Sequence, residues 1–439
     1  MNYKLNYHLM PPNGWLNDPN GLCVYKGTCH IYYQYCKDVM GEGDKCWGHY
    51  STKDFKTYKK EEIALYPDLE IDKDGVYSGC TFIENGMHIF YTGNVKLKGD
   101  YDYIHSGRLS NTIHVYSKDG LHFSNKEVVL NNKDYPNNLT NHIRDPKVFK
   151  ENDIYYMVLG ARNNEDEGLV LLYSSKDLKK WTFKKEIKSD KKFGYMWECP
   201  DLIKLDSDTF LITCPQGIKQ EGFLYENDNQ NGYFKVSDNK AYDYTTLDYG
   251  YDFYAPHSFV DKNNRRILIA WLGLPDSPHL NPTVKDGWQN ALSLPRVLSN
   301  VNHKIYQYPI KEILDLMYDT SFIKIDNNEI IKQKACQIHF ENNNEFKLNL
   351  NNLTLNYENN LFSLIFNNDK TNRKQRDIQI DKINEVDIFL DNSTIEIFIN
   401  KGEKTLSSMY YDDYDELRIS SNKQLEIKYS KMRAFEIYE

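Results

Sequence analysis

The segment NDPNGLCVYKGTCHIYYQYC, residues 17–36, sets the pattern for the first 300 residues of the chain. It contains a Pro- and Gly-rich turn, a short strand, a Lys-Gly hairpin turn, and a second strand rich in aromatic and β-branched residues. The same order of turn, strand, turn and strand returns at residues 77–93, 144–161, 198–217 and 254–273. A recurring period of this size indicates a repeat architecture.

The length of the repeat fits one blade of a β-propeller. Counted from equivalent starts, the copies lie 60, 67, 53 and 56 residues apart, which is the room that four short strands and their turns need. These starts are Asp18, Ser78, Asp145, Glu198 and Tyr254. Accidental similarity within a generic all-β chain would not recur five times in phase. The sequence therefore predicts a five-bladed β-propeller over residues 1–300.

The composition changes after residue 300. A helix-compatible linker is expected at residues 301–319, and Asn-rich hairpins follow, as in FENNNEFKLNLNNLTLNYENNLFSLIF at residues 340–366. Alternating polar and apolar residues with a turn about every ten residues favour a β-sandwich over residues 320–439. The prediction for the whole chain is an all-β protein, a five-bladed β-propeller followed by a C-terminal β-sandwich.

Charge and hydropathy exclude several classes of partner. The 439 residues include 54 basic and 63 acidic side chains, for a net charge of −9, and no long Lys/Arg block is present. This balance argues against nucleic acid. The longest apolar run, residues 267–274, is too short to span a bilayer, and the first residues lack the apolar core of a secretory signal. We expect a cytoplasmic protein without a membrane partner. A homo-oligomer is left open.

The eight cysteines do not predict a metal site. They show no Cys-x₂-Cys spacing, and Cys29 with His30 and Cys46 with His49 each lack a second pair of ligands nearby. The other cysteines stand singly among apolar residues, where a thiol behaves as a small hydrophobic group. We expect no metal and no organic cofactor.

Several repeats carry an acidic residue at the equivalent starting position. Three of the five equivalent starts are carboxylates, namely Asp18, Asp145 and Glu198. The first strand of each propeller blade lines the central channel, so we expect these side chains to converge there. Like charges held close raise at least one carboxyl pKa, which keeps one acid protonated near neutral pH. A charged and a protonated carboxyl are what retaining glycoside hydrolysis requires, and aromatic residues at the same rim would stack on sugars.

Each motif also has an ordinary structural interpretation. NDPNG is a strong turn by itself, Arg144 beside Asp145 is compatible with a structural ion pair, and Glu198 is compatible with a strand edge. Three acids would also suit Ca²⁺, although oxygen cages draw more ligands from one flexible loop, and no such loop is evident. The recurrence of acids at the equivalent position of three repeats favours a shared catalytic site.

The motifs GWLNDPNG at residues 14–21, RDP at 144–146 and ECPD at 198–201 resemble the three signature boxes of glycoside hydrolase family 32, the invertases and fructan hydrolases. The resemblance implies the same propeller and sandwich. It implies that Asp18 is the nucleophile, Glu198 the acid/base and Asp145 the stabiliser of the transition state. The implied substrate-binding residues are Trp15, Leu16, Asn17, Gln34, Trp47, Tyr77, Ser78, Arg144 and Trp271.

The resulting hypothesis is a retaining β-fructofuranosidase of the invertase type. It would hydrolyse the fructosyl linkage of sucrose or sucrose-6-phosphate by double displacement, and a small sugar would be its partner. One alternative is an exo-acting hydrolase of inulin, levan or fructo-oligosaccharides. The other is a carbohydrate-binding propeller without activity, which the presence of all three acids disfavours. The sequence assigns no cation to a phosphate group.

Overall fold

The computed structural model describes residues 3–279, 281–325, 328–342, 344–367 and 371–439. Strands dominate these ranges, as the β-branched and aromatic composition of the repeats predicts. None of the helices in them is long and apolar enough to cross a membrane.

The N-terminal strands form the propeller blades. Blade I comprises β1 (Gly14–Tyr25), β2 (Thr28–Cys36), β3 (Cys46–Thr52) and β4 (Thr57–Lys60). Blade II comprises β5 (Val76–Ile83), β6 (Met87–Lys96), β7 (Arg108–Ser117) and β8 (Glu127–Leu130). Blade III comprises β9 (Leu139–Glu151), β10 (Ile154–Asn163), β11 (Gly168–Ser175) and β12 (Thr182–Ser189). Blade IV comprises β13 (Met196–Leu205), β14 (Asp208–Gln216), β15 (Gly232–Ser237) and β16 (Lys240–Thr246).

Blade V is the least regular. It contains β17 (Tyr254–Val260), β18 (Arg266–Leu272), β20 (Ala291–Leu292), β21 (Arg296–Val301) and β22 (Lys304–Pro309). A 3₁₀ helix, η1 (Pro282–Asp286), and β19 (Trp288–Gln289) lie between β18 and β20, and β19 pairs in parallel with β1 of blade I. The first and last blades are therefore hydrogen-bonded to each other.

The inner strands close a ring. In sequence order β1, β5, β9, β13 and β17 are neighbours in space, and β17 also contacts β1. Blades III and IV are further joined by the parallel pair β12 and β16. This confirms the prediction of five blades. Residues 304–309, which the sequence assigned to a linker, instead form the outer strand of blade V, because their alternating pattern pairs with β21. The remaining domain limits stay a prediction.

Within the described residues, the C-terminal part is a sandwich of two six-stranded sheets, as predicted. After the short helix α1 (Lys311–Leu314), the strands are β23 (Met317–Ile325), β24 (Asn328–Ile331), β25 (Cys336–Glu341), β26 (Phe346–Leu350), β27 (Leu353–Glu358), β28 (Leu361–Phe366), β29 (Gln375–Gln379), β30 (Glu385–Leu390), β31 (Thr394–Ile399), β32 (Lys404–Met409), β33 (Leu417–Ser421), β34 (Leu425–Met432) and β35 (Glu436–Tyr438). The last strand, β35, leaves the sandwich and pairs with β4 of blade I.

A buried ionic network ties the propeller to the sandwich. His8 lies between two acids of the sandwich, with Nδ1 3.0 Å from Asp391 and Nε2 3.0 Å from Glu396. Arg296 of blade V contacts the second oxygen of Glu396 at 2.5 Å and Asp248 at 3.1 Å. All five side chains are fully buried. The charged groups therefore compensate one another within this network.

His8→Leu is expected to lower the free energy of unfolding by about 3–5 kcal/mol, because it leaves buried acids without their partner. Burial disfavours the charged ring, but the hydrogen bonds and charges of Asp391 and Glu396 outweigh it and raise the pKa of His8 to about 9. A raised pKa stabilises the fold fully below the unfolded pKa of about 6.5, and the gain is lost as the pH rises through 9. Urea unfolding at pH 6 and pH 10 measures both effects.

The matched control is His122→Leu. His122 contacts Asp119 at 2.8 Å in a similar pair, but 87% of its side chain is exposed. Exposed pairs contribute about 0–1 kcal/mol. An equal loss in both variants would contradict the role given to the buried network.

Candidate active site

Each inner strand carries a β-bulge at the same depth in the ring. In every blade two residues of the inner strand stand opposite one residue of the second strand, so the pairing shifts by one. A bulge bends the strand and re-aims the side chains beside it. The bulged pairs are residues 17–18, 77–78, 145–146, 199–200 and 255–256.

The bulges correct the prediction that the three acids share one repeat position. Register places Glu198 just before its bulge, Asp145 first within its bulge and Asp18 second within its bulge. The acids therefore occupy three successive positions on three blades. They still meet, because the bulge breaks the alternation that would send adjacent side chains to opposite faces. Asp145 and Cys199, both first in their bulges, have positive φ angles of 62° and 49°.

Asp18 is half-buried and held on both carboxylate oxygens. Ser78 Oγ donates to Oδ2 at 2.5 Å, and Asn17 Nδ2 donates to Oδ1 at 3.1 Å. Burial raises the pKa of Asp18 above its ordinary value, and the negative charge of Glu198 adds to this rise, whereas the two hydrogen bonds oppose it. Because these hydrogen bonds hold the carboxylate in one orientation, its remaining lone pairs point in fixed directions.

Asp145 is the most enclosed of the three acids, with 3% of the residue exposed. Its backbone N–H donates to Thr92 Oγ1 at 2.9 Å, and its Oδ2 accepts from the backbone N–H of Cys199 at 2.9 Å. Burial raises the pKa of Asp145 to about 7; the Arg144 charge opposes this, and the charges of Glu198 and Asp18 add to it.

Glu198 is held by three protein donors. Arg144 donates through Nε and Nη2 to Oε1 at 2.9 and 2.8 Å, while Gln216 Nε2 and the Tyr254 hydroxyl donate to Oε2 at 2.8 and 2.7 Å. The side chain is 15% exposed, so solvent still reaches it. The carboxyl group is thus oriented by partners from three other strands.

The thiol of Cys199 shows how close the acids are. Its Sγ lies 3.7 Å from Oδ2 of Asp18 and 3.7 Å from Oδ2 of Asp145. Burial raises the pKa of this thiol, so it remains neutral and can donate its one proton weakly to either carboxylate. Because Cys199 directly follows Glu198, all three predicted acids lie around one point of the ring.

Several predicted binding residues belong to this cluster. Asn17 Nδ2 also donates to Gln34 Oε1 at 2.7 Å, and Trp15 Nε1 donates to Asn17 Oδ1 at 3.1 Å. Ser78 and Arg144 contact the acids directly, as described above. Tyr77 is half-buried, and its backbone oxygen accepts from Trp47 Nε1 at 3.1 Å.

Three predicted binding residues are almost completely buried, and their contact with a substrate stays a prediction. Leu16 and Trp47 are fully buried, and Trp271 is 3% exposed, with its ring against Trp15 and Tyr254. Trp47 pairs across the sheet with Gln34, and Trp271 pairs with Tyr254, so both stand beside residues of the site. Leu16 in particular precedes the bulge of β1 and joins an apolar cluster.

Sequence reasoning missed the partners of the acids. Gln216 was not predicted, and neither was Thr92. Asn20 is fully buried, and its amide nitrogen has no partner among the described residues, while its Oδ1 accepts from Gly79 at 3.2 Å. Strand pairing is the signal that could have identified Gln216. This residue lies two positions beyond Cys214, which pairs with Glu198 across the sheet.

A group of metal-type ligands occurs far from the acids in the chain. Among the described residues, His339, Glu385 and Asp387 of the sandwich bring ligand atoms within 4.8 Å of one another. Asp387 Oδ1 already accepts from Gln337 Nε2 at 2.7 Å and lies 3.0 Å from His339 Nδ1. These contacts form a protein-only network, and the expectation of no metal stays a prediction.

Known proteins are similar to this chain over nearly its whole length. The family described as Glycosyl hydrolases family 32 N-terminal domain matches residues 8–309, and Glycosyl hydrolases family 32 C terminal matches residues 318–436. A sucrose-6-phosphate hydrolase of Bacillus subtilis (strain 168) is 36% identical over 437 residues, covering 93% of this chain and 89% of that protein.

Two solved structures extend the likeness to the fold. A sucrose-6-phosphate hydrolase from Lactobacillus gasseri superposes with a TM-score of 0.88 at 26% identity, covering 99% of this chain and 94% of that one. A mutant of a GH32 beta-fructofuranosidase of Bombyx mori in complex with sucrose has a TM-score of 0.86 at 27% identity, covering 100% and 95%. By these matches and by its three signature motifs, the chain belongs to glycoside hydrolase family 32.

Proposed function

We propose that this protein is a retaining β-fructofuranosidase of the invertase type that hydrolyses sucrose or sucrose-6-phosphate. The observation that carries the proposal is the contact of the Cys199 thiol with both Asp18 and Asp145, beside a Glu198 held by Arg144. The names of the relatives support the substrate class, since they include sucrose-6-phosphate hydrolases and a β-fructofuranosidase in complex with sucrose.

In the first half-reaction Asp18 attacks the anomeric carbon of the fructosyl unit. The bond from this carbon to the glycosidic oxygen breaks, its electron pair goes to that oxygen, and Glu198 supplies the proton. A fructosyl ester on Asp18 and a free glucosyl product result. Asp145 binds fructosyl hydroxyls, and its charge favours the positive charge that develops on the ring.

In the second half-reaction water replaces the carboxylate. Glu198, now ionised, takes one proton from the water as its oxygen attacks the same carbon, and the ester bond to Asp18 breaks. Both proton transfers require a fixed carboxyl group, which Arg144, Gln216 and Tyr254 provide. Two inversions at one carbon leave the β-configuration unchanged.

Parallel assays of sucrose, sucrose-6-phosphate and inulin with the purified protein test the proposal. Release of fructose from either disaccharide with a higher kcat/KM than from inulin is expected. A preference for inulin would favour the exo-acting fructan hydrolase, and binding without release of fructose would favour the carbohydrate-binding propeller. A disaccharide phosphate does not cross a lipid bilayer, so the substrate would place the enzyme in the cytoplasm.

Asp145→Asn is expected to lower kcat by about 10²–10³-fold, because the charge opposite the developing cation is lost. The wild-type kcat/KM should fall as the pH drops through about 7, where Asp145 gains a proton, and this limb should move to lower pH in the variant. Asn accepts the positive φ at this position. A pH series of initial rates measures both changes, and a limb that stays in place would contradict the assignment.

Asp145→Asn should increase the stability of the protein, although it lowers the activity. A carboxyl group with a raised pKa costs stability as the pH increases from about 4 to about 7, because the folded protein holds the proton more tightly. The Tm of Asp145→Asn should therefore exceed that of the wild type at pH 7.5, with a smaller difference at pH 4. Active sites commonly sacrifice stability for function in this way.

A further inference from the structure

We propose that Arg108 is the residue that recognises the phosphate group when the substrate is sucrose-6-phosphate. This inference rests on the function proposed above. It adds a protein side chain that would distinguish the phosphorylated sugar from sucrose. The sequence alone offered no candidate for this role.

The first observation is that the Nε–H group of Arg108 lacks an acceptor among the described residues. Arg108 lies at the start of β7, and its Nε is buried without a hydrogen-bond partner among the described residues. No carboxylate of those residues forms an ion pair with it. A buried N–H donor without an acceptor carries a desolvation cost, which an anionic ligand relieves.

The second observation is a pair of hydrogen bonds that links the backbone of Arg108 to the strand that carries Arg144. Asn132 Nδ2 donates both to the Arg108 backbone oxygen at 3.0 Å and to Asn141 Oδ1 at 3.1 Å. Asn141 lies on β9, three residues before Arg144, whose guanidinium binds Glu198. The charges of Arg144 and Glu198 are close enough to act on the pKa of Arg108, which burial lowers first.

The third observation is an excess of positive charge at this rim. Burial first, and then the charges of Arg144, Arg108 and Arg162, lower the pKa of the His142 ring to about 2. Arg144 is paired with Glu198 and Arg162 with Asp166. Arg108 is therefore the uncompensated cation of this cluster within the described residues, on a protein with a net charge of −9.

The chemistry of the reaction determines which sugar lies on the Glu198 side of the site. Glu198 protonates the leaving oxygen, so the glucosyl group lies on the Glu198 side, away from Asp18. A phosphate monoester carries a charge of about −1.5 to −2 at pH 7. A guanidinium binds such a group through two parallel N–H donors, in a geometry that a hydroxyl cannot reproduce.

Arg108→Met tests the inference, with the ratio of kcat/KM for sucrose-6-phosphate to kcat/KM for sucrose as the readout. We expect this ratio to fall by about 10- to 100-fold, mainly through KM for the phosphorylated sugar. Arg108→Lys should recover part of the ratio. Glucose 6-phosphate should inhibit the wild type competitively and inhibit Arg108→Met at least about tenfold more weakly.

Arg162→Met is the matched comparison, because Arg162 belongs to the same cluster but is neutralised by Asp166. A larger fall of the ratio in Arg162→Met than in Arg108→Met would overturn the assignment. An unchanged ratio in Arg108→Met, or equal kcat/KM for both sugars in the wild type, would overturn it as well while leaving the β-fructofuranosidase proposal intact. Inactivity of the wild type on both sugars would end both proposals.

Discussion

Asp18→Ala is expected to lower kcat for sucrose by about 10⁴-fold or more, because the fructosyl ester forms on Asp18, and Asp145 and Glu198 have other roles in the reaction. Ser78 and Asn17 orient Asp18, but neither carries a carboxylate that could replace it. Measured initial rates at saturating sucrose give the size of the effect.

Asp18→Asn is the control for packing, since it keeps the shape of the side chain and can still accept from Ser78. It should be as inactive as Asp18→Ala, with a Tm within a few degrees of the wild type. Residual activity above about 1% of wild type in either variant would contradict the assignment of Asp18 as the nucleophile, because loss of such a group is far more costly.

Glu198→Gln is expected to lower kcat for sucrose by about 10²–10⁴-fold, the usual contribution of general acid–base catalysis. Glutamine keeps the bond from Tyr254 or Gln216 but cannot transfer a proton. The loss should be much smaller for an aryl β-fructofuranoside, whose leaving group needs no proton. Rates with both substrates, measured side by side, separate the proton donor from a merely structural residue.

Azide adds a second readout for Glu198→Gln. Azide attacks the fructosyl ester without help from a base, so it should accelerate turnover of the aryl substrate and give a β-fructosyl azide. A change of pH should restore much less activity. Asp145→Asn is the comparison, since it retains the base, and azide should not accelerate it. Equal acceleration of both variants would contradict the role of Glu198.

The repeat and the fold were predictable because they depend on composition and period. Five copies of turn, strand, turn and strand, beginning near Asp18, indicate five blades before any geometry is known. The convergence of Asp18, Asp145 and Glu198 was predictable for the same reason. Hydrophobic alternation, with a turn about every ten residues, also indicated the sandwich.

The local geometry was not predictable, because it depends on pairing between distant segments. The bulge in each inner strand shifts the register by one residue, and no property of Asp145 or Glu198 alone reveals that they occupy different positions. The donor Gln216 lies on the neighbouring strand, and β35 returns to blade I from the end of the chain. Leu16 was predicted to bind sugar because it stands inside a motif; its side chain is fully buried, and its contact with a sugar stays a prediction.

The stereochemistry of fructosyl transfer tests the central claim most directly, namely that Asp18 and Glu198 act in turn on one anomeric carbon. With sucrose in aqueous methanol, some of the fructosyl ester is intercepted by methanol, and nuclear magnetic resonance identifies the methyl fructofuranoside as it forms. Two successive inversions predict the methyl β-D-fructofuranoside. The α-anomer as the first product would show a single displacement and would contradict the account.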